Sequence, residues 1–403
     1  MHSGLSDITK LAELISQSVS TVCAEYTSAG KVLPPLDSTE SGSFDAPEKT
    51  NEVLQAAIKT IEAACAQLSV AVANPGHVIT NKTYNYFETA CLRIVMDAKI
   101  ADLLLNRPEG VHVGELGQKS NRDPGKLSRV LRALATNHVF MEGLPLSYPS
   151  TESFYHSCLL VKPDVFANNR LSIKLISTDP LSALVDHMSN EAMKCGAVLG
   201  DVVADPKTAF STKIEDTAHQ KAHGMSLFEM MASDTIRGEC FNRAMVGWAQ
   251  VTGRAMIPRI YPWGDLPKDT TIVDVGGGNG HAVLDIVKVF PQVKVVIQDA
   301  EAVILDGQKY WQKEHPEAIS KERVAFKAFD FFKDPPVAGC DIYYLRHVLH
   351  DWPTDMAIAI LSNVRKVVQP KSKLLIHEFV PQHIVRDATT KVFTLEQQHS
   401  VLG

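Results

Sequence analysis

TIVDVGGGNGHAVLDIVKVFPQVKVVIQD, residues Thr271 to Asp299, is the stretch that decides the fold. Thr271 to Val275 is a short apolar run of the kind that forms a buried parallel strand. A glycine turn follows, then an amphipathic helix from about His281 to Phe290. A second β-rich run, Val293 to Gln298, ends on Asp299. Strand, glycine loop, helix, strand and acid together open a nucleotide-binding α/β domain. A dinucleotide fingerprint would need its third glycine where His281 stands, and no G-K-[ST] follows, which excludes a Walker loop. The loop reads D-x-G-x-G-x-G from Asp274 through Gly276, Gly278 and Gly280. Asp274 places a negative charge at the loop, which suits a cationic ligand better than a pyrophosphate. Asp299, at the tip of the second strand, is placed to accept from ribose hydroxyls.

Downstream the α/β rhythm continues. Strands are expected at Val324 to Phe329, Asp341 to His347 and Lys373 to Glu378, with a helix at Asp355 to Val368. In open parallel sheets the ligand sits at the carboxyl ends of the strands. There the polar residues collect: Asp299, Asp330, Arg346, His350, Asp351 and Glu378. Asp330 with Phe331 suits a purine, a carboxylate for the exocyclic amine and a ring or backbone amide beside the base. His350 is the candidate general base, since histidine is largely neutral at pH 7 and can assist deprotonation of a phenol. Glu378, one strand over, can orient the imidazole. His347 and His377 read as structural histidines.

Upstream of Tyr261 the chain is mostly helical. Helices are expected at 5–27, at Glu48 to Val72 and at Tyr84 to Leu105, the last apolar on most sides and therefore destined for a core or a subunit interface. LPPLDSTESGSFDAPEK, residues 33–49, is a linker. From Val111 to Gly143 the spacing predicts helix, turn, helix and a short strand at Val139 to Phe140, with Asp123 capping the second helix and Pro124 at its first position. That is winged-helix-like. Its few basic residues, Lys126, Arg129 and Arg132, lie in a chain of net charge −6, so a structural or dimerising role is favoured over DNA reading. One strand is expected at Ser157 to Val161. Leu171 to Leu199 and Ala218 to Ile257 are again helical, the second carrying His223, Phe228, Met230 and Met231. The expected organisation is therefore 1–47 helix and linker, 48–260 helical winged-helix dimerisation domain, and 261–403 nucleotide-binding domain.

Composition narrows the function classes. At 403 residues, 45% hydrophobic and 21% charged, the chain has the make-up of a soluble globular protein with substantial cores. No run of about 18 apolar residues is present, so no membrane partner is expected. The acidic balance argues against nucleic acid. Seven scattered cysteines without a C-x-x-C pair read as reduced thiols and a cytoplasmic location. No His/Asp/Glu cluster has ligand spacing, so no metal is expected.

D-V-G-G-G-N-G, the acid at Asp299, D-F-F at Asp330 and L-H-D-W at Leu349 to Trp352 resemble the class I S-adenosylmethionine-dependent O-methyltransferases of the plant caffeate and flavonoid and fungal secondary-metabolism type. The resemblance covers most of the chain from about residue 80. It implies a Rossmann-like catalytic domain behind a winged-helix dimerisation domain, S-adenosylmethionine as cofactor, a homodimer, and a small hydroxylated acceptor of aromatic or polyketide-like character. Gly276 and Gly278 would hug the methionine part, Asp299 the ribose, and Asp330 and Phe331 the adenine. Arg346 stands where the family often has a lysine near the cofactor. His350 would be the base and Glu378 the first of two bracketing acids. The implied mechanism is direct displacement, in which the hydroxyl oxygen attacks the sulfonium methyl as its proton leaves, accelerated mainly by positioning. Two departures shape the expectation. Gly143 to Lys162 is longer than the family's wing. TLEQQHSVLG, residues 394–403, has neither the second acid nor the two last strands, so a sheet without its terminal antiparallel pair is expected. A cofactor-binding relative that does not methylate, as an inactive partner subunit or a pericyclase-like catalyst, is the alternative; a winged-helix regulator is the third reading.

Overall fold

The computed structural model describes residues 4–45, 51–143 and 163–378. They form two compact units, Met1–Gly200 and Asp201–Gly403, each described by itself below.

The first unit opens with α1 (Gly4–Ser28) packed on α2 (Glu52–Val72). Asn51 starts α2 by accepting the Leu54 N–H at 2.8 Å, the usual side-chain answer to an orphan donor at a helix start. Leu11, Tyr26, Leu54, Ala57 and Ala64 are the buried stripe. The single helix expected over Tyr84 to Leu105 is broken. α3 (Pro75–Tyr84), α4 (Tyr86–Asp97) and α5 (Ile100–Leu103) replace it, and the second break falls at Lys99, which adopts a left-handed φ of 50°. Burial is also one-sided: Val95 and Ile100 are buried, whereas Tyr84, Phe87 and Ile94 stay exposed among the described residues.

β1 (Val111–His112), α6 (Val113–Ser120), α7 (Pro124–Thr136), β2 (Met141–Glu142) and β3 (Val165–Ala167) make the winged helix, its antiparallel sheet ordered β1-β3-β2. Asp123 caps α7 as its D-P pair implies, accepting the Lys126 N–H at 2.8 Å. Leu127, Leu131 and Leu134 face the core beside Leu116 and Phe166. The short strand begins two residues later than its apolar pair predicts, because His138 and Phe140 take φ of 65° and 72° in the turn before it. Arg132 is spent internally: its guanidinium binds Glu142 at 2.6 and 2.9 Å and Asp164 at 3.1 Å. A basic residue held by two carboxylates has little to offer a phosphate backbone. The strand expected at Ser157 to Val161 lies outside the described residues. The expected helix from Leu171 divides into a 3₁₀ turn (Ser172–Leu175), α8 (Pro180–His187), a π turn (Met188–Ala192) and α9 (Met193–Ala204). Asp179 and Pro180 restart it, with the Leu181 N–H donated to Asp179 at 2.9 Å.

In the second unit the helical stretch from Ala218 is made of α10 (Ala218–His223), α11 (Leu227–Ser233) and α12 (Thr235–Val251). Gly224 ends α10 at φ 77°. Ser226 and Glu229 form a capping box on α11, and Asp234 caps α12. The sheet follows: β4 (Thr270–Val275), α13 (His281–Val289), β5 (Val293–Asp299), α14 (Glu301–Glu314), α15 (Pro316–Ser320), β6 (Val324–Ala328), β7 (Ile342–Arg346), α16 (Thr354–Arg365) and β8 (Lys373–His377). All pairs are parallel, in the order β6-β5-β4-β7-β8. All five strands fall within two residues of their expected limits.

Alternate residues of each strand feed opposite layers. Ile272, Val295 and Ile297 pack with Val283, Leu284, Val287 and Trp311 on one side. Val273, Val275, Tyr343 and Leu345 pack with Ile360 and Val364 on the other. Each such fully buried aliphatic side chain contributes about 1.5–3 kcal/mol, which is why apolar runs without polar alternation become central strands. The question of a terminal strand pair beyond Glu378 lies outside the described residues, among which β8 is the outer strand. No helix of the described residues is long and apolar enough to cross a membrane.

Candidate active site

The β4–α13 loop is built around glycine for two different reasons. Gly280 has φ 76°, and a Cβ there would lie 2.2 Å from Ile297 Cδ1 and 2.7 Å from Trp311 Nε1. It exists so that the core can pass beneath. Gly278 has φ 59° and nothing within 4 Å of where a Cβ would be. It leaves the loop's outer surface clear for a ligand to lie against backbone. Gly276 turns beside Val348 and Phe331.

Three ionisable residues surround this loop. Asp299 Oδ2 accepts the Gly278 N–H at 2.8 Å, and its Oδ1 accepts the Ala300 N–H at 2.7 Å. The predicted ribose acid thus also pins the loop, and burial holds its pKa above the usual carboxylate range. Asp274 is 1% exposed, and its Oδ2 has no hydrogen-bond partner among the described residues. Burial, then the neighbouring Asp299, push its pKa up to about 7 against the pull of Arg346. Arg346 is itself buried; its Nη2 reaches the Thr252 carbonyl at 3.5 Å and its Nε has no partner among the described residues. Since Asp274 pairs with Tyr344 across β4 and β7, Arg346, the last residue of β7, stands level with Gly276, just past the end of β4. A buried carboxyl group and a buried cation, each with an unused atom among the described residues, beside an uncovered glycine backbone suit a zwitterionic amino-acid group.

Asp330 and Phe331 sit after β6 on the same edge of the sheet. Asp330 is engaged by Lys333 Nζ at 2.7 Å and by the Phe332 N–H at 3.0 Å, and the lysine hydrogen bond holds its pKa below the usual range. Phe331 packs edge-on against Phe329, Phe332 and Trp352. The aromatic group extends to Phe228 of α11, whose ring stacks on Trp352 at 5.1 Å. In the sequence Phe228 stands out only as one of a helical group with His223, Met230 and Met231.

His350 follows β7 in a short 3₁₀ turn (Leu349–Asp351). Its Nδ1 is 2.5 Å from Glu378 Oε2, and its Nε2 is 3.3 Å from Asp351 Oδ1. Glu378 Oε1 accepts both the Val348 and Leu349 N–H groups at 2.8 Å. One carboxylate therefore fixes the turn and the ring together. Its hydrogen bond raises the His350 pKa, against the opposing effect of burial. His347, at φ 54°, and His377 contrast with it. Burial lowers both, His347 to about 2, and His377 Nδ1 meets the Tyr344 hydroxyl at 2.8 Å. The sheet edge thus gathers the Gly loop, Asp274, Asp299, Asp330, Phe331, Arg346, His350 and Glu378 within one unit.

Residues to which the sequence reading gave no role also shape the site. Arg254 forms a two-pronged pair with Asp285 of α13 at 2.7 and 2.8 Å. Asn279 accepts the Trp311 indole N–H at 3.1 Å through its carbonyl. His281 is buried at the first position of α13. In the first unit an open groove of about 690 Å³ runs past Arg132, Phe140 and Glu142; its charged pair is already mutually satisfied.

A family model described as an O-methyltransferase domain matches residues 199–398. The chain is 43% identical to 3-O-methyltransferase 2 of Phanerochaete chrysosporium, over 95% of this chain and 82% of that one. It is 31% identical to O-methyltransferase tpcA of Aspergillus fumigatus, over 95% of this chain and 83% of the relative. The crystal structure of human N-acetylserotonin methyltransferase in complex with SAM is similar in fold, with a TM-score of 0.63, 18% identity, and 82% of this chain and 86% of that one covered.

Proposed function

The chain belongs to the S-adenosylmethionine-dependent O-methyltransferases, and from that premise we propose that it methylates a hydroxyl of a small aromatic or polyketide-like metabolite, with His350 as general base. The observation that carries this reading is the Glu378-held His350 at the sheet edge that also bears the glycine loop. Glu378, accepting two backbone N–H groups, is held as a carboxylate, so His350 Nδ1 keeps its hydrogen and donates it to Glu378 Oε2. That leaves Nε2 as the basic atom of the neutral ring.

The residues present fit the cofactor. Asp274, with its unpartnered buried oxygen, would take the ammonium; Arg346 would take the carboxylate; Gly278 leaves room for the chain between them. Asp299 would receive the ribose, and Asp330 and Phe331 the adenine. When bound, S-adenosylmethionine supplies an electrophilic methyl group on sulfur. His350 would accept the acceptor's hydroxyl proton at Nε2, and Glu378 would stabilise the imidazolium that results. Phe228 and Trp352 would keep water from the reacting oxygen and offer ring surface to an aromatic acceptor. A homodimer is part of the proposal: exposed Tyr84, Phe87 and Ile94 supply an apolar surface for a second copy.

The test is transfer of labelled methyl from S-adenosylmethionine to a panel of phenols that vary in ring position, with wild type and His350→Ala side by side. The 43%-identical relative is named for 3-O transfer, so hydroxyls at that position head the panel. Transfer that survives His350→Ala at the wild-type rate would remove His350 from its role. A folded wild-type chain that binds the cofactor yet methylates no acceptor favours a relative that uses the site without methyl transfer.

A further inference from the structure

Asp274 Oδ2, Arg346 Nε and His281 Nε2 are buried atoms without a hydrogen-bond partner among the described residues. Asp274 and His281 flank the glycine loop, Arg346 ends the strand paired beside β4, and Arg346 acts electrostatically on both. The first two have roles above. His281 has none.

Its tautomer follows from geometry. The His281 backbone N–H donates to Asn279 Oδ1 at 3.2 Å, so the amide oxygen, not the NH₂, faces the ring. His281 Nδ1 is 2.9 Å from that same oxygen and must therefore carry the hydrogen. Nε2 is left with a bare lone pair. The support is rigid: Asn279 is 6% exposed, lies between two glycines, and is held through its carbonyl by Trp311. Burial, then Arg254 and Arg346, keep the ring neutral by pushing its pKa down to about 3. The atom is a buried acceptor on the first residue after the glycine loop, and among the described residues it lacks a donor.

We infer that His281 Nε2 accepts a hydrogen bond from the α-ammonium of S-adenosylmethionine, making His281 a reader of the intact amino-acid head. The inference rests on the cofactor placement proposed above. Of the head's two charged groups only the ammonium donates; a carboxylate would set lone pair against lone pair. An ammonium has three N–H bonds, enough to serve both Nε2 and Asp274 Oδ2, while Arg346 takes the carboxylate.

The experiment is calorimetric binding to the full chain, wild type, His281→Phe and His281→Gln, with three ligands. S-adenosylhomocysteine carries the whole head, its deaminated counterpart carries the carboxylate alone, and 5′-methylthioadenosine carries neither group. Hydrogen bonds to charged partners predict that His281→Phe weakens S-adenosylhomocysteine binding about ten- to a hundredfold. The other two ligands should change by less than about threefold, within the scatter of uncoupled sites. His281→Gln, which keeps an acceptor, should recover part of the loss. Equal losses for all three ligands would mean that the ring only supports the loop, and would overturn the inference. So would undiminished S-adenosylhomocysteine binding, or a loss that persists with the deaminated ligand. A folded wild-type chain that binds none of the three would instead refute the cofactor placement.

Discussion

Cofactor affinity should depend on pH through one buried carboxyl. Asp274 has a pKa of about 7 in the ligand-free structure, raised by burial and by Asp299. Only its ionised form can pair with an ammonium. At pH 6 such a group is about 9% ionised and at pH 8 about 91%, so the apparent dissociation constant should fall about tenfold between them, with proton release on binding. Linkage has a second consequence. The folded pKa lies above the unfolded value of about 3.8, so the ligand-free fold loses stability as pH rises from about 4 to 7, by up to about 4 kcal/mol. Ligand stabilisation should accordingly be larger at pH 8 than at pH 6. The assay is calorimetry of S-adenosylhomocysteine in buffers of different ionisation enthalpy, where proton release shows as a buffer-dependent heat. Asp274→Asn should bind more weakly and without the pH slope. A flat affinity from pH 6 to 8 with no proton release would refute the reasoning, because it would place an already ionised Asp274 beside the loop.

Other expectations follow from the same geometry. His350→Ala should lower kcat about a hundredfold or more, the usual worth of a general base, while S-adenosylhomocysteine affinity is preserved; parallel losses in both would contradict the division of roles. Because the Glu378 hydrogen bond raises the His350 pKa, the acid limb of kcat/KM, which rises as His350 loses its proton, should move to lower pH in Glu378→Gln. Gly280→Ala meets Ile297 and Trp311 and should destabilise the fold by about 2–5 kcal/mol, from left-handed strain plus overpacking, read from a denaturant midpoint. Gly278→Ala has room for its methyl and should lose only about 1–2 kcal/mol of stability, its larger effect falling on cofactor affinity; the opposite ranking would mean the loop is differently shaped. Arg254→Met leaves Asp285 a quarter exposed and should cost about 2–3 kcal/mol, less than the ~3–5 of a fully buried pair, measured by thermal unfolding.

Local signals in the sequence translated well. The glycine loop, the strands and the Asp123–Pro124 helix start were legible because each depends on neighbours a few residues away. What escaped was decided at longer range. Lys99 breaks a pattern that reads as one helix, its left-handed φ falling between Val95 and Ile100, which share one buried cluster. The Arg254–Asp285 pair joins residues 31 apart with no pattern linking them. Asp330 reads as a free adenine acid, whereas Lys333, three residues on, already binds it; that spacing was visible. His281 was noticed only for spoiling a dinucleotide fingerprint, and its place directly after the last glycine was the cue to a buried role. Phe228 needed the fold to bring it to Trp352, since 124 residues separate the two.

The Gly280 contact bears on how fast a ligand is captured. Ile297 and the Trp311 indole fill the space beneath that residue, and the same indole holds Asn279 from below. The loop is therefore cast against the central strands and does not wait for a ligand to give it shape. A mould set in advance leaves little chain ordering to be done at encounter. Capture of the cofactor should then be a single-step event, its observed rate rising in proportion to ligand concentration, with no slow phase from closure of the glycine turn.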